Sequence, residues 1–354
     1  MSTGNNAPGD LPLGRLFLLG FRGETVPPWL DRAIRKGKLG GVALFDKNVD
    51  GSVQNITSPA QLRRLTDALQ DAAGGDLLIA VDQEGGKVCR LKKAAGFPEL
   101  PGAQELAGAG LGTSVMAAAV CAEMLSDAGI NLNFAPVVDL DCDPPCPVIG
   151  AFGRSFGMDA ESVTRHALYW IAAHHARGIA CCLKHFPGHG RARGDTHEGF
   201  VDAGPHWRDD ELAPYKTLID AGFQDAVMSA HLVVAGLDSE ARPATLSPPI
   251  LTGLLRERLG FTGLICTDDL QMGAITRRYG YREAVQQAFL AGADMLLAGN
   301  NLLDQPDALE EGTAALAELL REGRVSEERV AASIARVEAL RRPVNLPLPT
   351  AAMM

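Results

Sequence analysis

Residues 159–185 read DAESVTRHALYWIAAHHARGIACCLKH. Asp159–Arg177 carries Val163, Leu168, Ile171 and Ala172 at the spacing of one helical face. Gly178 follows, and a glycine there takes the left-handed conformation that ends a helix at low cost. Ala180–His185 comes next, a short run without strict apolar–polar alternation. That is the pattern of a strand buried on both faces, as in a parallel sheet covered by helices.

The same passage recurs along the chain. Strand-like runs lie at Arg15–Phe21, Gly41–Phe45, Leu77–Asp82, Asn131–Val138, Ala226–His231, Gly263–Asp268 and Ala293–Ala298. Helical segments read at Ser58–Ala73, Asp209–Ala221, Pro248–Leu259, Tyr281–Ala291 and Asp307–Arg321, and many helices end in glycine just before the next strand, at Gly129, Gly222 and Gly292 as at Gly178. Ser58-Pro59 supplies a cap with proline in the first turn. Eight strands alternating with helices imply parallel β/α units, and eight closes a (β/α)8 barrel of the TIM type. An open doubly wound sheet is the rival, but no G-x-G-x-x-G opens the first helix. Ser326–Leu340 reads as an extra helix packed outside. The expectation is one barrel domain over residues 11–342, flanked by a polar tail at 1–10 and a proline-rich tail at 343–354.

Composition narrows the function. The 354 residues suit one large barrel with insertions. Hydrophobic residues make up 46% and aromatics 5%, so the core is aliphatic. A formal net charge of -10, with no basic tract, disfavours nucleic acid as a partner. No apolar run is long enough to span a bilayer, and the polar start does not read as a secretory signal. The seven cysteines are odd in number, and Cys142/Cys146 lack a matching second pair, so neither a disulfide framework nor a zinc site is expected. Reduced thiols fit a cytoplasmic protein.

In a parallel barrel the site forms where the strands end. The third run ends in Asp82, followed by QEGGKVCR; the fifth in Lys184-His185, followed by FPGHGRARGDTHEGF; the sixth in His231; the seventh in Asp268-Asp269. GAFGRSFG follows the fourth. One such residue reads as a turn or cap; several converging on one rim read as chemistry. Pro187 and the glycines around His189 exclude a helix, so His185 and His189 are not a helical metal pair. The glycine-rich stretch Gly188–Gly194 reads as mobile. Beyond it, Asp195 and His197 are two apart and face one way if extended. A carboxylate beside an imidazole fixes its tautomer and raises its pKa, which suits a proton donor; a surface turn explains the same residues equally well.

KHFPGHG with D-T-H, and GLICTDDLQM, together resemble glycoside hydrolase family 3, in particular its bacterial β-N-acetylglucosaminidases of the peptidoglycan-recycling type. VDQEGGKVCR, GRSFG and VMSAHLVV are similar to segments of that group, and the likeness runs from about Leu13 to about Leu340. The resemblance implies a retaining glycosidase that removes terminal β-linked N-acetylglucosamine. Asp268 matches the nucleophile, His197 the loop-borne acid/base and Asp195 its partner carboxylate. Asp82, Arg90, Arg154, Lys184 and His185 match positions that hold the terminal sugar. It implies no metal or organic cofactor, and a small carbohydrate or muropeptide as the binding partner. Arg191 stands where an acidic residue is common, Lys87 where arginine is, and Cys181-Cys182 is atypical.

Rival readings remain. A β-glucosidase with a second domain supplying the acid/base would need about 100–200 further residues. A phosphorylase would use phosphate in place of water. A non-catalytic sugar-binding barrel would lack Asp268 or His197, and a metal-dependent hydrolase would need ligands such as His-x-His on a strand.

Overall fold

The eight expected strand segments form one eight-stranded parallel sheet in the computed structural model, which describes residues 11–196 and 199–342. The strands are β1 (Phe17–Leu19), β2 (Gly41–Leu44), β3 (Leu78–Val81), β4 (Leu132–Asn133), β5 (Ala180–Phe186), β6 (Ala226–Ser229), β7 (Leu264–Thr267) and β8 (Leu296–Ala298). The order around the sheet is β7-β6-β5-β4-β3-β2-β1-β8. A parallel bridge between Cys266 and Met295 closes β7 onto β8. The Thr267 N–H adds a bond to the Met295 carbonyl (3.0 Å), and the Leu270 N–H one to Leu297 (3.0 Å). The two tails expected at 1–10 and 343–354 lie outside the described residues.

Every residue of the eight strands is buried, which is why the strands show no polar alternation. The pleat still sorts them into two cores. Leu18, Ala43, Leu78, Ala80, Leu132, Ala180, Cys182, Ala226, Met228, Leu264, Cys266, Met295 and Leu297 fill the barrel interior. The alternate residues, among them Phe17, Val42, Ile79, Val81, Cys181, Leu183, Val227 and Ile265, pack outward against the helices. Alanine and cysteine are common inside because the axis leaves little room.

The helices follow the sequence closely. Pro59–Ala73 is capped by Ser58, whose Oγ accepts from the Gln61 N–H (3.3 Å). Ala160–His175 is capped by Asp159, and Gly178 beyond it has φ 69°. Pro249–Arg258 winds as a π-helix. The sequence expectations gave no bounds for the helices Pro28–Arg35 and Leu111–Asp127, although Gly129 marked the end of the second. In the latter, Met116 is 72% exposed while Ala118, Cys121 and Ala122 are buried, so apolar residues face both ways and blur the period.

The last helix, Glu327–Leu340, does more than the sequence suggests. Val330 and Ile334 pack with the outward-facing residues, as an added outer helix would, while Val337 and Leu340 join the interior cluster with Leu18, Leu78 and Met295. The helix therefore closes the end of the barrel opposite the site. Asp294 ties it down. This fully buried carboxylate pairs with Arg256, Arg329 and Arg336 and accepts from the Ile265 N–H (3.0 Å) and Ser333 Oγ (2.6 Å). Among the described residues no helix is long and apolar enough to cross a membrane.

Candidate active site

The pleat that fills the barrel also builds the site. Leu78 and Ala80 point inward, so Asp82 is the next inward position above them. By the same count Lys184 follows Ala180 and Cys182, and Asp268 follows Leu264 and Cys266. The polar residues begin where the apolar layers stop. They line a cavity of about 300 Å³ over Phe45, Phe134, Met228 and Leu297, together with Arg90, Arg154, His185, His189 and Asp195.

The charges form one continuous chain. Lys184 Nζ reaches Asp82 Oδ1 at 2.6 Å and Glu84 Oε1 at 2.7 Å. Arg90 donates to Asp82 Oδ2 (3.1 Å) and lies 3.7 Å from Asp46, which also holds Lys92 (2.5 Å). Arg154 grips Glu84 with two bonds, at 2.8 and 2.7 Å, and its third nitrogen donates to the Val148 carbonyl (2.9 Å). Burial alone would raise the Asp82 carboxyl, but Lys184 and then Arg90 hold it well below the usual range. Glu84 is likewise pushed up by burial and held down by Arg154 and Lys184. Lys184 is raised overall: burial opposes its charge, and Asp82 and Glu84 outweigh burial. All three are therefore ionised at neutral pH, and their geometry is fixed before any ligand arrives.

His185 is oriented from behind. Its Nδ1 lies 2.7 Å from Asp139 Oδ2, and its Nε2 lies 3.3 Å from an Arg154 nitrogen. Arginine can only donate, so Nε2 accepts and Nδ1–H donates to Asp139. Asp139 Oδ1 also accepts the backbone N–H groups of His185 (3.0 Å) and His189 (2.8 Å). Burial works against the Asp139 charge, and the His185 imidazole holds the carboxyl down. The Lys184–His185 peptide is cis, and both side chains line the cavity. Burial lowers His189 to about 4, so that ring is neutral.

The loop after β5 is less free than its glycines suggest. A Cβ on Gly190 would stand 1.6 Å from the Leu140 carbonyl oxygen, and one on Gly188 would stand 2.5 Å from Glu211 Cβ. These glycines permit close packing, and His189, Gly190 and Ala192 are buried. Further on, Asp195 and Thr196 line the cavity, and the Thr196 carbonyl accepts from the Ala274 N–H (3.0 Å). His197 lies outside the described residues. Arg191 points away from the cavity and pairs with Asp210.

Glu211 sits beneath this loop, and burial raises its carboxyl to about 8, against the pull of Arg191. Its folded pKa is above its unfolded value. The stability it contributes is thus fully present below pH 4.5 and is lost as pH rises towards 8. Glu211→Gln is expected to melt several degrees above the parent at pH 9 and level with it at pH 4.5. Equal shifts at both pH values in thermal denaturation would sink this reading.

The two adjacent aspartates differ. Asp269 Oδ1 accepts from the backbone of Gln271 (3.0 Å) and Gly299 (3.2 Å), stapling the β7 and β8 loops. Asp268 is half-buried and faces the cavity, and its Oδ1 accepts the Asp269 N–H (2.8 Å). His231, expected on the rim, is instead buried. Its ring bonds Thr245 (2.8 Å) and the Asp269 carbonyl (2.8 Å), and so supports the Asp268-Asp269 turn from below. Sequence reading missed Glu84, Asp139 and Asp46. Glu84 carried a signal, because it lies two residues past Asp82 and so shares its face in an extended segment.

Residues 28–340 match the glycosyl hydrolase family 3 N-terminal domain. The chain belongs to that family. Among family 3 relatives, it is 34% identical over 345 residues to beta-hexosaminidase A of Pseudoalteromonas piscicida, covering 90% of this chain and 55% of that one. A family 3 β-N-acetylglucosaminidase structure from a Paenibacillus species superposes with TM-score 0.84 at 36% identity, covering 94% of this chain and 62% of the other. A β-N-acetylhexosaminidase structure from Beutenbergia cavernae superposes with TM-score 0.79 at 32% identity, covering 94% and 99%. The chain thus spans little more than half of the first two proteins and nearly all of the third.

Proposed function

We propose that this chain is a retaining β-N-acetylglucosaminidase that removes a terminal non-reducing sugar through a covalent glycosyl–Asp268 intermediate. The observation that carries this reading is the placement of Asp268 across the ring from a prebuilt cage. The strand order sets β7 opposite β3, and Asp82, Arg154, Lys184 and His185 come from β3, β5 and the loop after β4. Such a cage holds hydroxyls at one end of a pyranose, which leaves the anomeric carbon to Asp268. Attack by the Asp268 carboxylate expels the aglycone; water then releases the sugar with the same anomeric configuration.

His197 serves as the acid/base, protonating the departing oxygen and later taking a proton from water, with Asp195 orienting it. The position of Asp195 on the cavity wall supports this, since it brings the loop over the site. No metal or organic cofactor enters this scheme. The substrate is a small carbohydrate, of which peptidoglycan fragments are the natural source, and the site of action is the cytoplasm. The seven free cysteines suit that reducing compartment.

Initial rates on matched chromogenic β-glycosides of N-acetylglucosamine and glucose, in phosphate-free buffer, test the proposal. The expected result is a preference for the acetamido sugar of at least about tenfold. Preference for glucose, or activity that appears only with added phosphate, would overturn the assignment and leave the family intact.

A further inference from the structure

We propose that His189 is the residue that reads the 2-acetamido group, and so sets the specificity of this site. The inference rests on the glycosidase reading above and goes one residue further. Handedness decides where C2 of the sugar lies. Right-handed β–α–β crossovers run the strands counterclockwise when the barrel is viewed with the site toward the viewer. Asp268 stands at the end of β7, and Asp195, on the acid/base loop, stands on the cavity wall. The face of the sugar that carries the β-linked leaving oxygen therefore turns up toward that loop, and the opposite face turns to Asp268. Seen from the upper face, the carbons of a D-pyranose number clockwise. With C1 at β7 and C4 at the far side of the cage by β3, C2 and C3 lie along β6 and β5. C5 and C6 lie along β8, β1 and β2.

The β5–β6 flank is lined by His185, His189, Thr196 and Met228. His185 is committed at both nitrogens, to Asp139 and to Arg154. His189 keeps one edge open. Its backbone N–H donates to Asp139 Oδ1 (2.8 Å), its ring packs edge-on to His185 with centroids 5.7 Å apart, and its Nδ1 lies 3.7 Å from Cys146 Sγ. Among the described residues its Nε2 has no hydrogen-bond partner, yet it is not one of the sealed polar atoms, so this edge faces the cavity. The Cys146 sulfur already accepts the backbone N–H groups of Val148 and Ile149, which leaves its thiol proton to donate to Nδ1. Nε2 then carries the hydrogen of the ring, which burial keeps neutral. A positioned N–H in a buried wall is costly to leave unpaired unless a ligand completes it.

A secondary acetamide is the complement of this donor. The His189 side chain is almost wholly buried, so its N–H is set back in the wall. The acetamide carbonyl oxygen stands two bonds farther from C2 than a hydroxyl oxygen does, and so reaches into the recess. A substrate with a 2-hydroxyl leaves the N–H unpaired, and a site built around a buried donor discriminates strongly against such a substrate. Met228, on β6, offers apolar contact for the acetamide methyl.

The test compares kcat/KM on the two chromogenic glycosides for the parent, His189→Asn and His189→Gln, with melting midpoints as a check on folding. Asparagine places its amide near the Nδ1 position and nothing at Nε2, whereas the glutamine amide reaches the Nε2 position. In His189→Asn the acetamido-to-hydroxyl selectivity ratio should fall by roughly 10- to 100-fold, with the loss borne by the acetamido substrate. His189→Gln should hold most of the ratio, which a purely structural role for the ring does not predict. His189→Leu, close in size and without a donor, takes the place of the asparagine variant if that one folds poorly. A donor-less variant that keeps the parent's ratio, or an equal loss on both substrates in every variant, overturns the role of His189 while leaving the glycosidase reading in place. A parent enzyme that favours glucose overturns both.

Discussion

Asp268→Asn should lower kcat on a β-N-acetylglucosaminide by roughly 10³-fold or more, with a melting midpoint close to that of the parent. Asparagine matches the carboxylate in shape, and Asp268 is half-buried at the cavity wall, so little packing changes. What disappears is the anionic oxygen that, in the mechanism proposed above, attacks the anomeric carbon. Asp269→Asn makes the comparison informative. That carboxylate accepts two backbone N–H groups across the β7 and β8 loops, so its loss should appear first as lower thermal stability. If the two variants lost activity equally with no difference in melting, the assignment of Asp268 as nucleophile would fail. Mass spectrometry of the peptide containing Asp268, after trapping with a slowly turned-over substrate, is the direct check.

Removing Lys184 should have the largest structural effect. Its side chain is 2% exposed and bridges Asp82 and Glu84. Lys184→Met keeps the volume but removes the cation shared by Asp82 and Glu84, leaving Asp82 to Arg90 alone and Glu84 to Arg154 alone. Breaking a buried pair in this way costs about 3–5 kcal/mol, on the order of 10 °C in melting midpoint.

The effect has a distinct pH signature. In the parent, Asp82 and Glu84 have folded pKa values below their unfolded ones. Their stabilising contribution is present above the unfolded carboxylate range and is lost as pH falls through the folded values. Without Lys184, burial is less opposed and the folded values rise. The variant therefore gains less stability than the parent as pH rises through the carboxylate range. The gap between the two proteins should be widest near pH 7 and narrow towards pH 4 in thermal melts. A gap of constant size would show that packing, and not charge, is what Lys184 contributes.

Much of this was legible in the sequence because strand burial and strand endings leave local marks. Ala180–His185 announces a doubly buried strand, and counting inward positions from it reaches Lys184. Asp82 and Asp268 fall out of the same count on β3 and β7. What stayed hidden depends on contacts distant in sequence. Asp139 looks like any turn aspartate until His185 is folded against it, 46 residues away in the chain. His231 follows a strand as the rim residues do, yet it turns beneath the Asp268-Asp269 turn. The glycines after β5 signal freedom in one dimension, whereas in three they signal contact with Leu140 and Glu211. Glu327–Leu340 shows an ordinary amphipathic face, and nothing local says that this face meets the barrel floor.

The chain of charges from Lys92 through Asp46, Arg90, Asp82, Lys184 and Glu84 to Arg154 has an evolutionary consequence. Each link neutralises the next, so a lineage that changes one member inherits a stranded charge in a buried place. Substitutions in this wall are therefore expected to be fixed in compensating sets, which makes it the slowest part of the cavity to drift. The β8 side of the cavity, lined by Leu297, Asn301 and Leu302, belongs to no such set. A descendant with altered ligand preference could arise by changing that side of the cavity while the ion-paired wall was passed on intact.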